Sequence, residues 1–233
     1  QTDEEAIWST EMEIEAQHYF QPIFERLREH PDNTLLSDLV NTEIPEWGRT
    51  LTDEELHAEM MADTFVGGSE TSTNAIAAGV MLLIEQQDQW ELLQSDPDKY
   101  LPILVEEVLR LEGPVQGLFR EAACDVTFHG IDIPQGSTIN IRFASANLDD
   151  TVFEQPRKLV LERANSRQHL AFGFGVHYCM GAPLARRELF FSFKTLVDRI
   201  AEMWFLEGKN DFRHHPNFCL RALRELHIGF TLK

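Results

Sequence analysis

A single cysteine, Cys179, lies in the glycine-rich segment Phe172–Gly181, directly before a stretch with helical apolar spacing. That stretch opens at Ala182 with Pro183 in its first turn, where a helix tolerates proline. We therefore expect Cys179 at a helix N-terminus, where unpaired backbone N–H groups and the helix dipole favour a thiolate. A thiolate is the form of cysteine that binds metal, and as an axial ligand of iron it favours cleavage of an O–O bond.

Taken alone, a cysteine is more often a small buried residue than a metal ligand, and for an isolated Cys179 that interpretation would be preferred. A zinc site would need further ligands nearby, but Cys124 and Cys219 are distant in sequence and the chain has no C-x-x-C pair. Covalent attachment of a c-type haem fails for the same reason. Within the full ten-residue segment, the preference changes from a buried cysteine to a metal ligand.

The segment resembles the haem-binding signature of the cytochrome P-450 family of haem-thiolate monooxygenases. That signature reads Phe, two residues, Gly, one residue, Arg or His, one residue, Cys, one residue, Gly. Its fixed positions are filled here by Phe172, Gly175, His177, Cys179 and Gly181. The resemblance implies a haem b cofactor with Cys179 as the axial iron ligand, in a site to which Phe172 and Gly173 contribute.

A second motif, Gly67–Ser72, lies inside a long predicted helix, where each glycine costs about 1 kcal/mol relative to alanine. A glycine pair alone is typical of helix packing or of a kink, and close approach of another group is the other explanation. The segment is similar to the family's oxygen-activation motif. The resemblance implies that Thr71 hydrogen-bonds dioxygen or its water and that Glu70 helps to relay protons from solvent.

A third motif, Glu107-Val108-Leu109-Arg110, places a carboxylate and a guanidinium three residues apart on one helix face. Such pairs are usually exposed and contribute about 0–1 kcal/mol. It matches the family's E-x-x-R pattern, and the resemblance implies a buried pair joined by a further arginine, for which Arg163 is the best candidate. Its expected role is structural.

The resemblance also assigns two cations and several substrate contacts. Arg120 and His177 fall where the family places cations that bind the haem propionates, although each alone would more often be a surface residue. The segments 115–118 and 218–220 match positions that line the substrate cavity. Asp63, one turn before Gly67, is a candidate contact for a polar or cationic group of the substrate.

The elements that must position these residues are mostly helical. We expect a mainly α fold with small β-sheets, the C-terminal portion of the cytochrome P-450 fold without its N-terminal helices, with residues 1–233 forming one haem-binding unit. The expected order is a helix over 7–29, a linker over 41–50, a helix from the Thr52–Glu55 capping box to about Trp90, a helix over 97–113, short strands over 124–143, an irregular segment over 148–168, the cysteine loop with its helix, and a strand-like tail over 218–232.

Composition limits the partners. The net charge of −19 makes nucleic acid an unfavourable partner, and no apolar stretch is long enough to cross a bilayer. Three widely spaced cysteines fit a reducing compartment, so we expect a cytoplasmic protein. Residues 181–199 are locally basic, which predicts either a docking face for an acidic electron donor or an ordinary solvated helix face.

The function implied by the resemblance is monooxygenation of a small organic substrate, with electrons from a ferredoxin or a similar separate donor. The match covers only the family's C-terminal part, so a truncated, catalytically incompetent haem-binding or interaction domain remains an alternative. Peroxide-driven oxidation is a third, but the Glu70–Thr71 pair favours the dioxygen route.

Overall fold

The computed structural model describes residues 2–233, apart from the side chains of Asp63 and Val66. The candidate substrate contact at Asp63 therefore lies outside the described residues and stays a prediction. Contacts within the chain group it into two compact units, Gln1–Ser69 and Glu70–Lys233. The expectation of one haem-binding unit over residues 1–233 also stays a prediction.

The first unit is helical. It contains helices α1 (Asp3–Glu29), α2 (Leu35–Asn41) and α3 (Asp53–Glu59). Two capping boxes start α1 and α3, because Thr2 and Thr52 each accept a backbone N–H from a glutamate three residues on and that glutamate's side chain accepts the cap N–H in return. Its apolar core consists of Phe20, Phe24, Leu27, Val40, Leu56 and Met60.

The long helix predicted from Thr52 to about Trp90 is interrupted and ends earlier than expected. A π-helical segment, Met60–Phe65, follows α3, and α4 then runs over Val66–Glu85. Trp90 belongs to a separate helix, α5 (Gln87–Ser95), because the backbone leaves the helical region at Gln86, with φ −125° and ψ 74°. π-Helical segments inside helices are frequent at functional sites, and this one directly precedes the Gly67–Ser72 motif.

The second unit is built on two long helices that pack on each other, α6 (Pro97–Glu112) and α8 (Ala182–Arg199), with the short helix α7 (Phe143–Ala146) between them in sequence. Helix α6 starts as predicted, with Pro97 in its first turn and the Asp96 carboxylate accepting the N–H of Lys99 at 3.3 Å. The core includes side chains from α4, α5, α6 and α8, among them Leu83, Leu93, Leu104, Val108, Leu189 and Phe193.

Three small antiparallel sheets accompany these helices. Strands β1 (Leu118–Glu121) and β4 (Thr138–Ile141) pair with each other, as do β2 (Val126–Phe128) with β3 (Ile131–Ile133), and β5 (Ile200–Phe205) with β6 (Ile228–Leu232). The predicted strands over 124–143 are confirmed. In the tail, the strand is confined to Ile228–Leu232, and its partner β5 directly follows α8.

The mainly α fold with small sheets is confirmed. The irregular segment over 148–168 is confirmed as well, apart from a 3₁₀ turn at Ser166–Gln168. Among the described residues, no helix is both long enough and apolar enough to span a membrane.

Candidate functional site

Cys179 lies in an exposed loop between the irregular segment and α8. Its backbone N–H donates to the Phe172 carbonyl at 2.9 Å, which closes the loop on itself. Gly173 and Gly175 have φ of +72° and +77°, a region that side chains disfavour, so glycine is required for this chain reversal. The loop sequence therefore fixes the path that presents the cysteine.

The start of α8 agrees with the prediction from sequence. The helix begins at Ala182 with Pro183 in its first turn, and the Cys179 carbonyl accepts the N–H of Ala182 at 3.3 Å. The cap residue of this helix is Gly181, which makes no side-chain hydrogen bond to the first turn. A Cβ on Gly181 would sit 3.7 Å from the Cys179 Sγ, so the smallest residue borders the sulfur.

A cavity of about 490 Å³ adjoins the cysteine within the second unit. Its walls are mostly aliphatic and aromatic, from α4, α6, α8, β1, β4 and the cysteine loop. The side chains that dominate them are Ala75, Leu109, Val115, Leu118, Phe143 and Leu189. An apolar wall with few polar groups is typical of a small-molecule or cofactor site.

The structure brings most of the candidate site residues together around this cavity. Its lining includes Thr71, Arg120, Phe172, Gly173, His177 and Cys179. Arg120 and His177 are both exposed, and the Arg120 guanidinium donates to the Phe119 carbonyl at 2.8 Å. Glu70 is not part of the lining and is exposed to solvent on α4.

The two segments predicted to contact substrate differ in their position relative to the cavity. Val115 and Leu118 line the cavity, and residues 218–220 do not. The tail segment instead pairs with the backbone of residues 115 and 116. Leu220 forms a β-bridge with Val115, and the Cys219 carbonyl accepts the Gln116 N–H at 2.6 Å. The role of the tail at this site is to hold the segment after α6.

Packing does not account for the glycine pair on α4. A Cβ on Gly68 would meet no protein atom within 4 Å, and one on Gly67 only the Ala62 carbonyl oxygen at 3.9 Å. The helix-packing explanation is therefore not supported by the described contacts. The π-helical segment at Met60–Phe65 fits the explanation by a local irregularity of the helix.

The E-x-x-R prediction is confirmed as a buried ion-pair network. The Arg110 guanidinium donates to both oxygens of Glu107, at 2.5 and 2.9 Å, and both side chains are 0% exposed. The Arg163 Nε lies 3.0 Å from Glu107 Oε1, as expected for the third member. The remaining donors of Arg110 reach the carbonyls of Asn147, Pro156 and Lys158, so the network holds the irregular segment on α6.

Two further polar contacts were not anticipated from the sequence. Ser72 Oγ, next to Thr71, donates to Glu188 Oε2 on α8 at 2.5 Å. Glu106, next to Glu107, is 98% buried and is surrounded by His169, Arg186 and Arg167. Neither contact has a local signature, because the partners are 116 and 80 residues apart in the chain.

The basic stretch on α8 is partly neutralised. Arg186 binds Glu106 through two hydrogen bonds, at 2.8 and 3.1 Å, and Lys194 pairs with Asp198 at 2.7 Å. Arg187 and Arg199 are exposed. Arg186 is therefore engaged by a carboxylate of the same chain, whereas Arg187 and Arg199 are open to solvent.

With this geometry in view, comparison with known proteins identifies the class. The chain belongs to the cytochrome P450 family, whose model matches residues 5–201. Membership of this family implies a haem cofactor held by a cysteine thiolate.

Among curated relatives, the chain is 35% identical over 204 residues to the steroid C26-monooxygenase of Mycobacterium tuberculosis (strain ATCC 25618 / H37Rv), which covers 88% of this chain and 50% of that protein. It is 34% identical over 218 residues to the polyketide biosynthesis cytochrome P450 PksS of Bacillus subtilis (strain 168), covering 93% and 53%. The crystal structure of CYP109E1 from Bacillus megaterium in complex with corticosterone matches with a TM-score of 0.87 and 30% identity, over 98% of this chain and 60% of that one. The chain thus spans about half the length of the curated relatives it matches.

The residues around the cavity fit the group that the family implies. The cavity joins one sulfur donor, Cys179, to apolar walls suited to a porphyrin ring, and it carries two cationic or potentially cationic side chains, Arg120 and His177, suited to carboxylates. Gly181 keeps the loop free of bulk beside the sulfur.

Proposed function

We propose that this chain is the haem-binding part of a monooxygenase, with Cys179 as the thiolate ligand of haem b. The observation that carries the proposal is that Cys179, Thr71, Arg120 and His177 border one apolar cavity. When bound, the haem iron supplies activation of dioxygen, and the thiolate favours O–O cleavage. The overall reaction would place one atom of dioxygen in a C–H bond of the substrate and release the other as water, consuming two electrons and two protons.

The chain's own residues have separate roles in this proposal. Arg120 and His177 bind the propionates by charge-assisted hydrogen bonds. The Thr71 hydroxyl, at the cavity wall, hydrogen-bonds the dioxygen substrate or a water beside it. Glu70, exposed on the same helix, exchanges protons with solvent and passes them inward.

The proposed substrate is a small organic molecule with a largely apolar surface. The walls of the cavity support this class, because their aliphatic and aromatic side chains offer few hydrogen bonds. The names of the relatives agree with this class, since they refer to a steroid and to a polyketide. We propose that electrons come from a separate ferredoxin-like donor that docks through Arg187 and Arg199 on α8.

The decisive experiment is the absorption spectrum of the reduced, carbon-monoxide-bound chain loaded with haem. A thiolate-type band is expected from the parent chain and should be absent from Cys179→Ser. Cys124→Ser is the matched control, because Cys124 is also an exposed free cysteine and is not part of the cavity. A thiolate-type band that survives in Cys179→Ser, or one that never forms in the parent, contradicts the proposal.

The alternative is a haem-binding domain without turnover. The chain spans about half the length of the curated relatives, so turnover is tested on its own. Oxidation of an apolar test substrate with ferredoxin, ferredoxin reductase and NADPH separates the two candidates. A thiolate-type band without product formation would establish the alternative, and the peroxide-driven route would give product with hydrogen peroxide in place of the donor.

A further inference from the structure

Glu106 is a buried carboxylate whose position is not explained by the E-x-x-R network. It lies beside Glu107 on α6, with its side chain 2% exposed, and it contacts none of the groups that Glu107 binds. Instead, both of its oxygens bind Arg186, at 2.8 and 3.1 Å, and Oε2 lies 3.0 Å from His169 Nε2. Loss of these partners would leave an uncompensated buried charge, so the carboxylate and its partners hold one another in place.

Arg186 connects this carboxylate to both ends of the cysteine loop. Its guanidinium carbon lies 4.6 Å from the centre of the Phe172 ring, and its Nη1 donates to the Tyr178 hydroxyl at 3.1 Å. Phe172 is the residue whose carbonyl accepts the Cys179 N–H, and Tyr178 directly precedes Cys179. One side chain therefore contacts both the residue whose carbonyl binds the Cys179 N–H and the residue directly before Cys179.

His169 extends the same contact to the start of the loop. Its Nδ1 accepts the backbone N–H of Ala171 at 3.1 Å, so the proton of the ring is on Nε2, which donates to Glu106. The charged partner that binds both oxygens of Glu106 at hydrogen-bond distance is Arg186. Ala171 adjoins Phe172, so this branch fixes the loop on its N-terminal side.

We propose that Glu106 is a positioning residue for the haem ligand: through Arg186 and His169 it holds the loop 171–179 in the conformation that presents the Cys179 sulfur. The proposal rests on the assignment of Cys179 as the ligand and adds the group that orients it. Residues outside the ligand set that orient a ligand typically change metal affinity by about 10–100-fold when they are replaced.

The first arm of the test is hydrogen exchange in the haem-free chain, which does not depend on haem chemistry. Glu106→Gln keeps the shape and removes the charge, and Arg186→Gln removes its partner. Both are expected to accelerate exchange in the peptide 169–181 and to leave the peptide of α5, Gln87–Ser95, unchanged. Arg187→Gln is the matched control, the same substitution at the exposed neighbour on α8, and should match the parent chain.

The second arm uses the haem-loaded chain and a spectroscopic signature. Glu106→Gln and Arg186→Gln are expected to convert part of the reduced carbon-monoxide complex from the thiolate-type to the thiol-type band, and to transfer haem to apomyoglobin about tenfold faster. If Glu106→Gln does not fold, Tyr178→Phe removes only the hydroxyl that Arg186 contacts, on a half-exposed side chain, and should give a smaller change in the same direction.

The outcomes separate the two proposals. Unchanged hydrogen exchange in the peptide 169–181, or the same acceleration in α5, would overturn the positioning role regardless of the result with the haem-loaded chain. A parent chain without the thiolate-type band would overturn the assignment of Cys179, and the exchange arm would still decide whether Glu106 holds the loop. Accelerated exchange confined to the loop, together with loss of the thiolate-type band, supports both.

Discussion

Ser72 and Glu188 join the helix that carries Thr71 to the helix that follows Cys179. Ser72 Oγ donates to Glu188 Oε2 at 2.5 Å, and Ser72 is 8% exposed. Because Ser72 adjoins Thr71 and also lines the cavity, this bond fixes one wall of the proposed oxygen site relative to α8.

Removal of this bond should be measurable as a coupling energy. Ser72→Ala and Glu188→Ala are each expected to lower the free energy of unfolding by about 1–3 kcal/mol, since hydrogen bonds to charged groups fall in this range. Urea unfolding of the two single variants and of the double variant gives the coupling directly. Ser95→Ala, which deletes an exposed hydroxyl bonded within its own helix, is the control and should cost less. Strictly additive effects of Ser72→Ala and Glu188→Ala would contradict the contact.

The buried E-x-x-R network predicts a large loss of stability and of haem. Glu107→Ala leaves Arg110 buried at 1% exposure without its carboxylate, and it also releases Arg163 and the Val160 N–H. The expected cost is about 3–5 kcal/mol, with haem retention abolished. Unfolding by urea and the haem-to-protein ratio after gel filtration check both effects.

The control for that prediction is an ion pair on the surface. Asp198→Ala removes the partner of Lys194, and both of those side chains are at least 41% exposed. The expected change is within about 1 kcal/mol, because exposed pairs contribute little. A Glu107→Ala chain with normal haem content, or with a loss of unfolding free energy no larger than that of Asp198→Ala, would show that the network does not stabilise the fold.

Two glycines on α4 should respond in opposite ways to alanine. A Cβ on Gly79 would overlap the buried Phe193 ring and reach Val108 Cγ2 at 3.0 Å, so Gly79→Ala is expected to destabilise the chain by about 1–3 kcal/mol. The Cβ added by Gly68→Ala would meet no atom within 4 Å. Because alanine has the higher helix propensity, this variant should stabilise the haem-free chain by up to about 1 kcal/mol. Thermal unfolding of the two haem-free variants tests the contrast, and equal shifts in Tm would refute it.

Features with a local signature could be predicted from the sequence. The capping box at Thr52 and Glu55 and the start of α8 at Ala182 depend on residues within a few positions of each other, and both are confirmed. The pairing of Arg163 with Glu107 required the resemblance to a family, because 56 positions separate them and no spacing rule connects them. The resemblance to the family indicated Arg163 as the partner, and the structure shows its contact with Glu107.

Features that depend on distant contacts could not be predicted. Strand β1 has every residue exposed, so it shows no apolar alternation, and β5 follows α8 without a turn. The burial of Glu106 could not be predicted either, because a second glutamate before an E-x-x-R motif is typical of an ordinary surface residue. Only the fold brings Arg186 and His169 to it.

Acid should weaken the contacts of Glu106 in a defined pH range. Burial opposes ionisation of this carboxyl, but hydrogen bonds from His169 and Arg186, with the attraction of the Arg186 charge, outweigh it and lower its pKa from 4.5 to about 2. A carboxyl whose pKa is lower in the folded chain than in the unfolded chain stabilises the fold above the unfolded value and loses that contribution as the pH falls towards the folded value. The contribution of Glu106 should therefore be present above about pH 5 and decline between about pH 4.5 and 2.

Urea unfolding across this range should show a steeper loss of stability for the parent chain than for Glu106→Gln. Glu55, whose pKa is also lowered to about 2 by Arg49, contributes equally to both chains, so the difference between the two profiles isolates Glu106. Parallel profiles would show that the ionised Glu106 does not stabilise the fold.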